Sequence, residues 1–406
     1  MVDREVEKVK LSKPGLSYKP IPVKEILMKM KNLSELIIDL SSCSLIFYDK
    51  RIIREVYRLE EEMDDLEAQL IMHAALATRN PDDAEKMVSV YNLAIAMDHI
   101  SDAASDIARL AETGARLKAS KEFFASSPTR FVYILPVSSE SPLANKEINE
   151  IFNSMGCIFD VIAIRRKDSY IFEPSEDERI LENDILYVKG SPETIDKLIE
   201  LSGQKPEEEI TIYEEGLLDN LLQLKEISQL MVDLAYSALL TRSREIVSEI
   251  LEMENYVDEL VSEVKDMVII SKDLSIKEKL GIIGLADAYE EIADAAVNIV
   301  YGLSKGLEPH PIIDAVIDEA LERLAIIEVR DEMVGKTLSS LELAKKGIIV
   351  LAVKRGKTWI ITPPYSKLKL SKGDMLVVKY YSEAEDEIAK LESKEAVEKL
   401  RREEAM

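Results

Sequence analysis

Residues 31–40 read KNLSELIIDL, and residues 225–234 read KEISQLMVDL. The same spacing, from Lys31 to Lys225 and from Asp64 to Asp258, carries LEEEMDDLE at 59–67 onto MENYVDELV at 253–261. Further on, DHISDAA at 98–104 returns as EEIADAA at 290–296, with one intervening loop two residues shorter. A β-rich stretch repeats as well, VIAIRRKDSYIFEP at 161–174 against VLAVKRGKTWIITP at 350–363. Solenoid repeats run about 20–50 residues, so so long a period marks duplication of a whole multidomain unit. The 406 residues must therefore fold as two copies of one design.

Each copy begins helical. Ile52, Val56, Leu59, Met63, Leu66 and Leu70 follow the 3-and-4 spacing of one buried helix stripe, and Leu93, Met97, Ile100, Ala104, Ile107 and Ala111 make another, with the turn RNPDD between them. After Ser126-Ser127-Pro128 the pattern shifts to short β-branched and aromatic runs around the helix-like NKEINEIFNSMG, closed by SPETIDKLIEL. The expected fold is multidomain, α and α+β: two antiparallel helical bundles alternating with two small β-α-β-β-β(-α) domains. We divide it into an extended Pro-rich arm (1–22), a bundle (23–126), a mixed domain (127–203), an acidic linker (204–215), a second bundle (216–322), a second mixed domain (323–392) and a charged C-terminal helix or tail (393–406).

Charge and composition narrow the function. With 77 Asp and Glu against 52 Lys and Arg, the formal charge is -25. That disfavours nucleic acid and anionic membrane surfaces unless a basic patch is segregated, and the densest basic stretches, Arg165–Lys167 and Lys354–Lys357, look like hairpin ends. Cys43 and Cys157 form no CxxC spacing, which suits a reducing compartment. The opening MVDREVEKVK has no apolar h-region and no apolar run approaches a membrane span, so the expectation is a cytoplasmic chain with no direct membrane insertion, reaching a membrane only through a partner. No GxGxxG is present, hence no NAD motif, and RGKT at 355–358 has Leu351 where a phosphate loop needs glycine. Three histidines and no nucleophile context leave little for acid–base catalysis, and the chain reads as non-enzymatic.

The acids carry the main chemical signal. Random placement would give about fifteen i,i+4 acid pairs in such a chain, so one pair means nothing. Two pairs at matching places in each half do: Glu60 with Asp64 and Asp98 with Asp102, then Glu254 with Asp258 and Glu290 with Asp294. Residues at i and i+4 share a helix face, so two antiparallel helices can bring four carboxylates to one seam. Such a group needs a cation or a basic partner, and hard oxygen ligands suit Mg²⁺, Mn²⁺, Fe or Ca²⁺. The alternative is a solvated acidic face. His99 reads as an ordinary polar-face residue, because Glu291 takes its place in the second copy.

On these motifs the helical halves resemble PhoU-type three-helix bundles, associated with control of phosphate uptake. That likeness implies that Glu60, Asp64, Asp98, Asp102, Glu254, Asp258, Glu290 and Asp294 are metal ligands. The stretch 334–378, with Gly335-Lys336-x-Leu338 opening a helix, GIIVLAVKRG, Pro363-Pro364 and Gly373-Asp374, resembles the C-terminal regulatory module (RCK-C) of TrkA-type potassium-transport subunits. In the first copy Asn183-Asp184 replaces Gly-Asp. The resemblance implies modules that dimerise and, in some members, hold cyclic di-AMP in the cleft, here near Ile348, Ile349, Arg355 and Pro363, with Ile158, Arg166 and Pro174 in the first copy. It also implies a regulator of potassium or other cation transport, partnered by a membrane transporter or channel subunit, as a homodimer or an intrachain pseudo-dimer. The alternative it leaves is a metal-binding regulator of phosphate homeostasis.

Overall fold

The computed structural model describes residues 17–47, 49–113, 131–167, 169–203, 216–356, 358–361, 368–391 and 394–404. Three long helices open each half. In the first these are α1 (Val23–Phe47), α2 (Lys50–Ala77) and α3 (Pro81–Thr113). Both apolar stripes expected for α2 and α3 are buried throughout. Chemistry fixes the ends: the Asp49 side chain accepts the Arg51 N–H before α2, and Asn80 accepts the Asp83 N–H with Pro81 in the first turn of α3. Ahead of α1, Gln69 and His73 hold the extended arm, Gln69 bonding Lys19 N and Ser17 O, and His73 Nε2 lying 2.8 Å from the Lys19 carbonyl.

A mixed domain follows: β1 (Phe131–Pro136), α4 (Ile148–Met155), β2 (Asp160–Arg166), β3 (Ser169–Phe172), β4 (Ile185–Gly190) and α5 (Pro192–Ser202). The second half repeats the plan with α6 (Leu217–Thr241), α7 (Arg244–Ile270), α8 (Ile276–Ser304), a short α9 (Ile312–Glu319), β5 (Glu322–Glu328), β6 (Ile348–Arg355), β7 (Thr358–Ile360), β8 (Met375–Tyr381), α10 (Glu385–Leu391) and α11 (Lys394–Glu404). Both sheets are antiparallel, ordered β1-β4-β2-β3 and β5-β8-β6-β7, and both carry the same bulge, between Val161 and Ala163 and between Val350 and Ala352. The expected alternation of helical and mixed units is thus present, and both basic stretches do fall at hairpin ends.

One expected element differs. Between β5 and β6 no α-helix opens at Gly335; two 3-10 turns, Ser339–Leu341 and Leu343–Lys346, stand there instead. Ser340 bonds back to the Thr337 carbonyl, and Glu342 sits in the left-handed region at φ 51°, which ends the first turn. Elsewhere Asn183 does adopt a left-handed conformation, φ 65°, where the second copy has Gly373 at 85°. Pro363 and Pro364, the 204–215 linker and most of the N-terminal arm lie outside the described residues.

Packing makes one body. α3 and α8 lie along each other, joining the bundles, and a single core runs through both and takes in one face of each sheet: Ile162, Ala163 and Tyr187 from the first, Ile326, Leu351, Ala352 and Val377 from the second. The opposite faces have cores of their own, built on Phe159, Leu186 and Val188 and on Leu376, Val378 and Ile348. A sheet covered on both sides reads as a nearly continuous apolar run, as β8 does, with all seven residues buried and Lys379 the one charge among them.

The two mixed domains also touch each other within the chain. Ile158 N–H donates to the Lys345 carbonyl at 3.0 Å, and the Ile158 side chain packs on the second domain's core. Gly347 lies there at φ 71°, and a Cβ on it would meet Ile158 Cγ2 at 3.0 Å. Gly347→Ala therefore combines a left-handed penalty with a clash, about 2–4 kcal/mol, while Gly356→Ala, at φ 61° in open space, carries only the first, about 1–2 kcal/mol. Thermal melting of the two variants reads the interdomain contact as their difference.

Candidate functional site

The first-half acids converge. Glu60, Asp64 and Asp102 each offer a carboxylate oxygen within 4.8 Å of the others, Glu60 and Asp64 from α2 and Asp102 from α3. Asp98, one turn before Asp102, is half-buried, and its Oδ1 is buried with no hydrogen-bond partner among the described residues. Burial, then the charges of Glu67, Asp102, Asp64 and Glu60, push the Asp98 carboxyl up to about 7. Glu60, Glu67 and Asp102 are raised too, burial leading in each case and neighbouring acids adding to it. A cluster whose members raise one another's proton affinity has the chemistry to take a divalent cation through oxygen ligands. Glu67 was missing from the sequence reading, although it stands seven residues after Glu60 and three after Asp64, on the same helix face.

The second half is built alike but answered differently. Glu254 and Asp258 come from α7, Glu290 and Asp294 from α8, and the carboxyls of Glu254, Glu290 and Asp294 are all raised, chiefly by burial. Here Lys265 Nζ lies 2.6 Å from Asp287 and 3.7 Å from Glu290. Its counterpart in the first copy is Ile71, and Val261 stands where the first copy has Glu67. Each cluster therefore has one acid that the other lacks, Glu67 in the first and Asp287, in place of Ile95, in the second, and only the second has an internal ammonium, Lys265. His99 sits between them, near enough to Asp102 and Asp294 to steady both charges, and Glu291 faces Asp102 across the α3–α8 seam.

Among the described residues, those proposed for a nucleotide cleft do not meet in one place. Arg166 donates to both Asp184 oxygens, to Glu178 and to the Arg179 carbonyl, and Arg355 repeats this with Asp374 and the Lys369 carbonyl. Both guanidiniums clamp the turn before the last strand. Ile348 and Ile349 point into different cores, and Ile158 fills the space over Gly347. Pro174 lines a cleft of about 280 Å³ between the first mixed domain, α1 and the second mixed domain. Its titratable lining is Glu35, Asp39, Asp160, Glu173, Glu176, Glu322 and Glu383 against Lys189, a poor surface for a phosphodiester.

Beside that cleft lies a buried charge network. Lys189 and Lys379 occupy matching places on β4 and β8, on the face turned to the bundles. Lys189 Nζ donates to Asp39 and, at 2.8 Å, to Glu322; Lys379 Nζ pairs with Glu322 and, at 2.8 Å, with Asp233. Lys31 joins through Glu35 and the Glu322 carbonyl, both at 2.8 Å. Asp39 and Asp233, like Lys31 and Lys225, stand at equal positions of the two quoted repeats, so the signal was in the sequence but was read only as evidence of duplication.

Duplicated three-helix bundles with facing acid clusters, alternating with small four-stranded domains that meet within the chain, define a two-fold multidomain architecture. The families follow from the sequence models: the PhoU domain matches residues 27–111 and 221–302, and the TrkA-C domain matches 132–203 and 324–393. The chain is a tandem of PhoU and TrkA-C domains in alternating order. Among solved structures it is similar to PhoU from Pseudomonas aeruginosa, at 15% identity over 69% of this chain and 93% of that one, with a TM-score of 0.38. It is also similar to the GsuK RCK domain, at 15% identity over 64% and 63% with a TM-score of 0.17, and to the GsuK channel, at 14% over 82% and 65% with a TM-score of 0.20. The chain thus spans less than two thirds of either GsuK chain. No curated protein matches it.

Both domain families are regulatory rather than catalytic and point to a role in ion or phosphate transport. Among the described residues no helix is long and apolar enough to cross a membrane.

Proposed function

We propose that this chain is a non-enzymatic cytoplasmic regulator of a membrane ion transporter, and that its helical unit takes up divalent cations, Mg²⁺, Mn²⁺, Fe or Ca²⁺, at the repeated acid clusters. The observation that carries the reading is the convergence of Glu60, Asp64 and Asp102 beside a buried Asp98. Like charges held this close destabilise the metal-free fold, and a ligand that binds only the folded state raises its stability by mass action. Metal-stripped protein should therefore melt several degrees higher when Mn²⁺ or Mg²⁺ is added in excess, and Glu60→Gln/Asp64→Asn/Asp102→Asn should keep only the smaller rise that the second-half acids supply. A wild-type curve that no divalent cation shifts would refute the reading.

The transported ion is the finer step. The TrkA-C domains favour potassium or another cation, with a transporter or channel subunit as partner, and the PhoU domains favour phosphate homeostasis as the alternative. Cyclic di-AMP is the second reading for the mixed domains, supported by their family and by their contact around Ile158 and Gly347. Calorimetric titration with cyclic di-AMP tests it. Saturable heat with a defined stoichiometry would make the mixed domains a nucleotide sensor, and no heat would leave them as pairing modules, within the chain or between two copies.

A further inference from the structure

A basic cavity lies far from the acid clusters, at the end of the second bundle. About 500 Å³ in volume, it is lined by Lys86, Arg242, Arg244, His310 and Arg401 together with the 306–311 loop. The chain's formal charge is -25, yet four Lys or Arg side chains and a histidine gather around this one cavity. Three separate parts of the protein supply it: Lys86 from α3 of the first half, Arg242 and Arg244 from the corner between α6 and α7, and Arg401 from the C-terminal helix α11. Glu278 stands where Lys86 would repeat, and Thr211 where Arg401 would have its equivalent, so duplication alone did not create this site.

Its side chains are arranged as donors. Arg242 is held in the left-handed region at φ 62°, a conformation costly for a residue with a Cβ, in the cap that ends α6. Its Nη2 donates to both oxygens of Asp314 at 3.1 Å, Arg401 Nη2 shares Asp314 at 2.8 Å, and Arg242 Nε lies 3.8 Å from Glu308. Arg242 Nη1 is buried with no hydrogen-bond partner among the described residues. Such an orphaned group calls for a ligand or water to complete it. Lys86 and Arg244 are exposed at the rim, and Glu308, the one acid in the lining, has a side chain 87% exposed. His310 Nδ1 accepts the Ile312 N–H at 3.1 Å, which places the ring proton on Nε2 as a further donor. The His310 N–H itself is tied to Ser89 Oγ on α3 at 3.0 Å.

We infer that this cavity binds a small phosphate-bearing anion. Guanidinium forks match phosphate oxygens pairwise, and an ammonium adds a point charge. The volume exceeds that of one phosphate group, so a phosphorylated metabolite of nucleotide size fits as well as inorganic phosphate. A bound anion would tie the two halves and the C-terminal helix together, since all three contribute to the lining. The inference is independent of the cation reading.

The test is calorimetric titration of the full chain with inorganic phosphate and, separately, adenosine 5′-monophosphate, at low ionic strength and with a chelator present so that the acid clusters play no part. One saturable site per chain is expected for at least one of them. Lys86→Gln/Arg244→Gln changes only rim residues and should keep the wild-type melting curve while weakening binding about tenfold or more. Lys272→Gln/Lys277→Gln removes the same formal charge at the opposite end of α7 and should leave affinity within about twofold. No saturable binding of either probe, or equal weakening by both double variants, would overturn the proposal.

Discussion

Lys189→Met is expected to destabilise the folded chain by about 3–5 kcal/mol. Lys189 is only 2% exposed, and its ammonium answers Asp39 and Glu322, the latter itself 5% exposed. Methionine keeps much of the volume but takes from Asp39 its ammonium and leaves Glu322 to Lys379 in a low-dielectric junction, and the cost comes from these carboxylates rather than from lost packing. Thermal melting would register it as a large fall. Adding Asp39→Asn to Lys189→Met should recover part of the loss, because the charge left without its ammonium is then removed. Lys372→Met, which breaks an exposed pair with Asp331, should change stability by less than about 1 kcal/mol. Equal small effects at both positions would mean that the junction is wet and the network contributes little.

The second large effect is a reversed pH dependence centred on the acid cluster. An ordinary aspartate titrates near 4, and Asp98 in the fold is pushed up to about 7 by burial and by Glu67, Asp102, Asp64 and Glu60. Between those values the folded chain holds more protons than the unfolded one, so stability rises as pH falls through the window and declines as pH climbs back. Glu60, Glu67 and Asp102, also raised, act in the same direction. Metal-free protein should consequently melt higher at about pH 6 than at about pH 8, opposite to a protein held by ion-paired carboxylates. Asp98→Asn should flatten the slope. A divalent cation competes with these protons, so its stabilising effect should be greatest at the alkaline end.

Much of this was legible before any coordinates. Apolar periodicity located α2 and α3 because a buried stripe leaves a 3.6-residue signature, and the duplication located their second-half equivalents. The acid pairs on α2 and α3 were found because i,i+4 spacing alone puts two carboxylates on one face. What failed to show was anything that depends on side chains meeting across elements. Lys189 looks like one polar residue in an apolar strand, and only the sheet's approach to α1 gives it Asp39. Arg166 and Arg355 are placed at a ligand cleft by the RCK-C resemblance alone, and a sequence shows no acceptors for a guanidinium; the fold supplies Asp184 and Asp374. The missing helix after Gly335 is local chemistry, a serine-rich turn that competes with helical hydrogen bonds, and a closer reading of TLSSLELAKKG would have caught it. Lys265 is the most consequential omission, since it makes two clusters with the same acid pattern unequal.

That inequality makes the central claim measurable. Titration of metal-stripped protein with Mn²⁺, followed by electron paramagnetic resonance of the free ion, counts sites and orders them by affinity. Two classes are expected, the tighter at Glu60, Asp64, Asp98 and Asp102 and the weaker at Glu254, Asp258, Glu290 and Asp294, where Lys265 already neutralises part of the charge. Asp102→Ala should remove the tight class and Lys265→Ala should strengthen the weak one. Absence of Mn²⁺ binding, or binding indifferent to both substitutions, would contradict it.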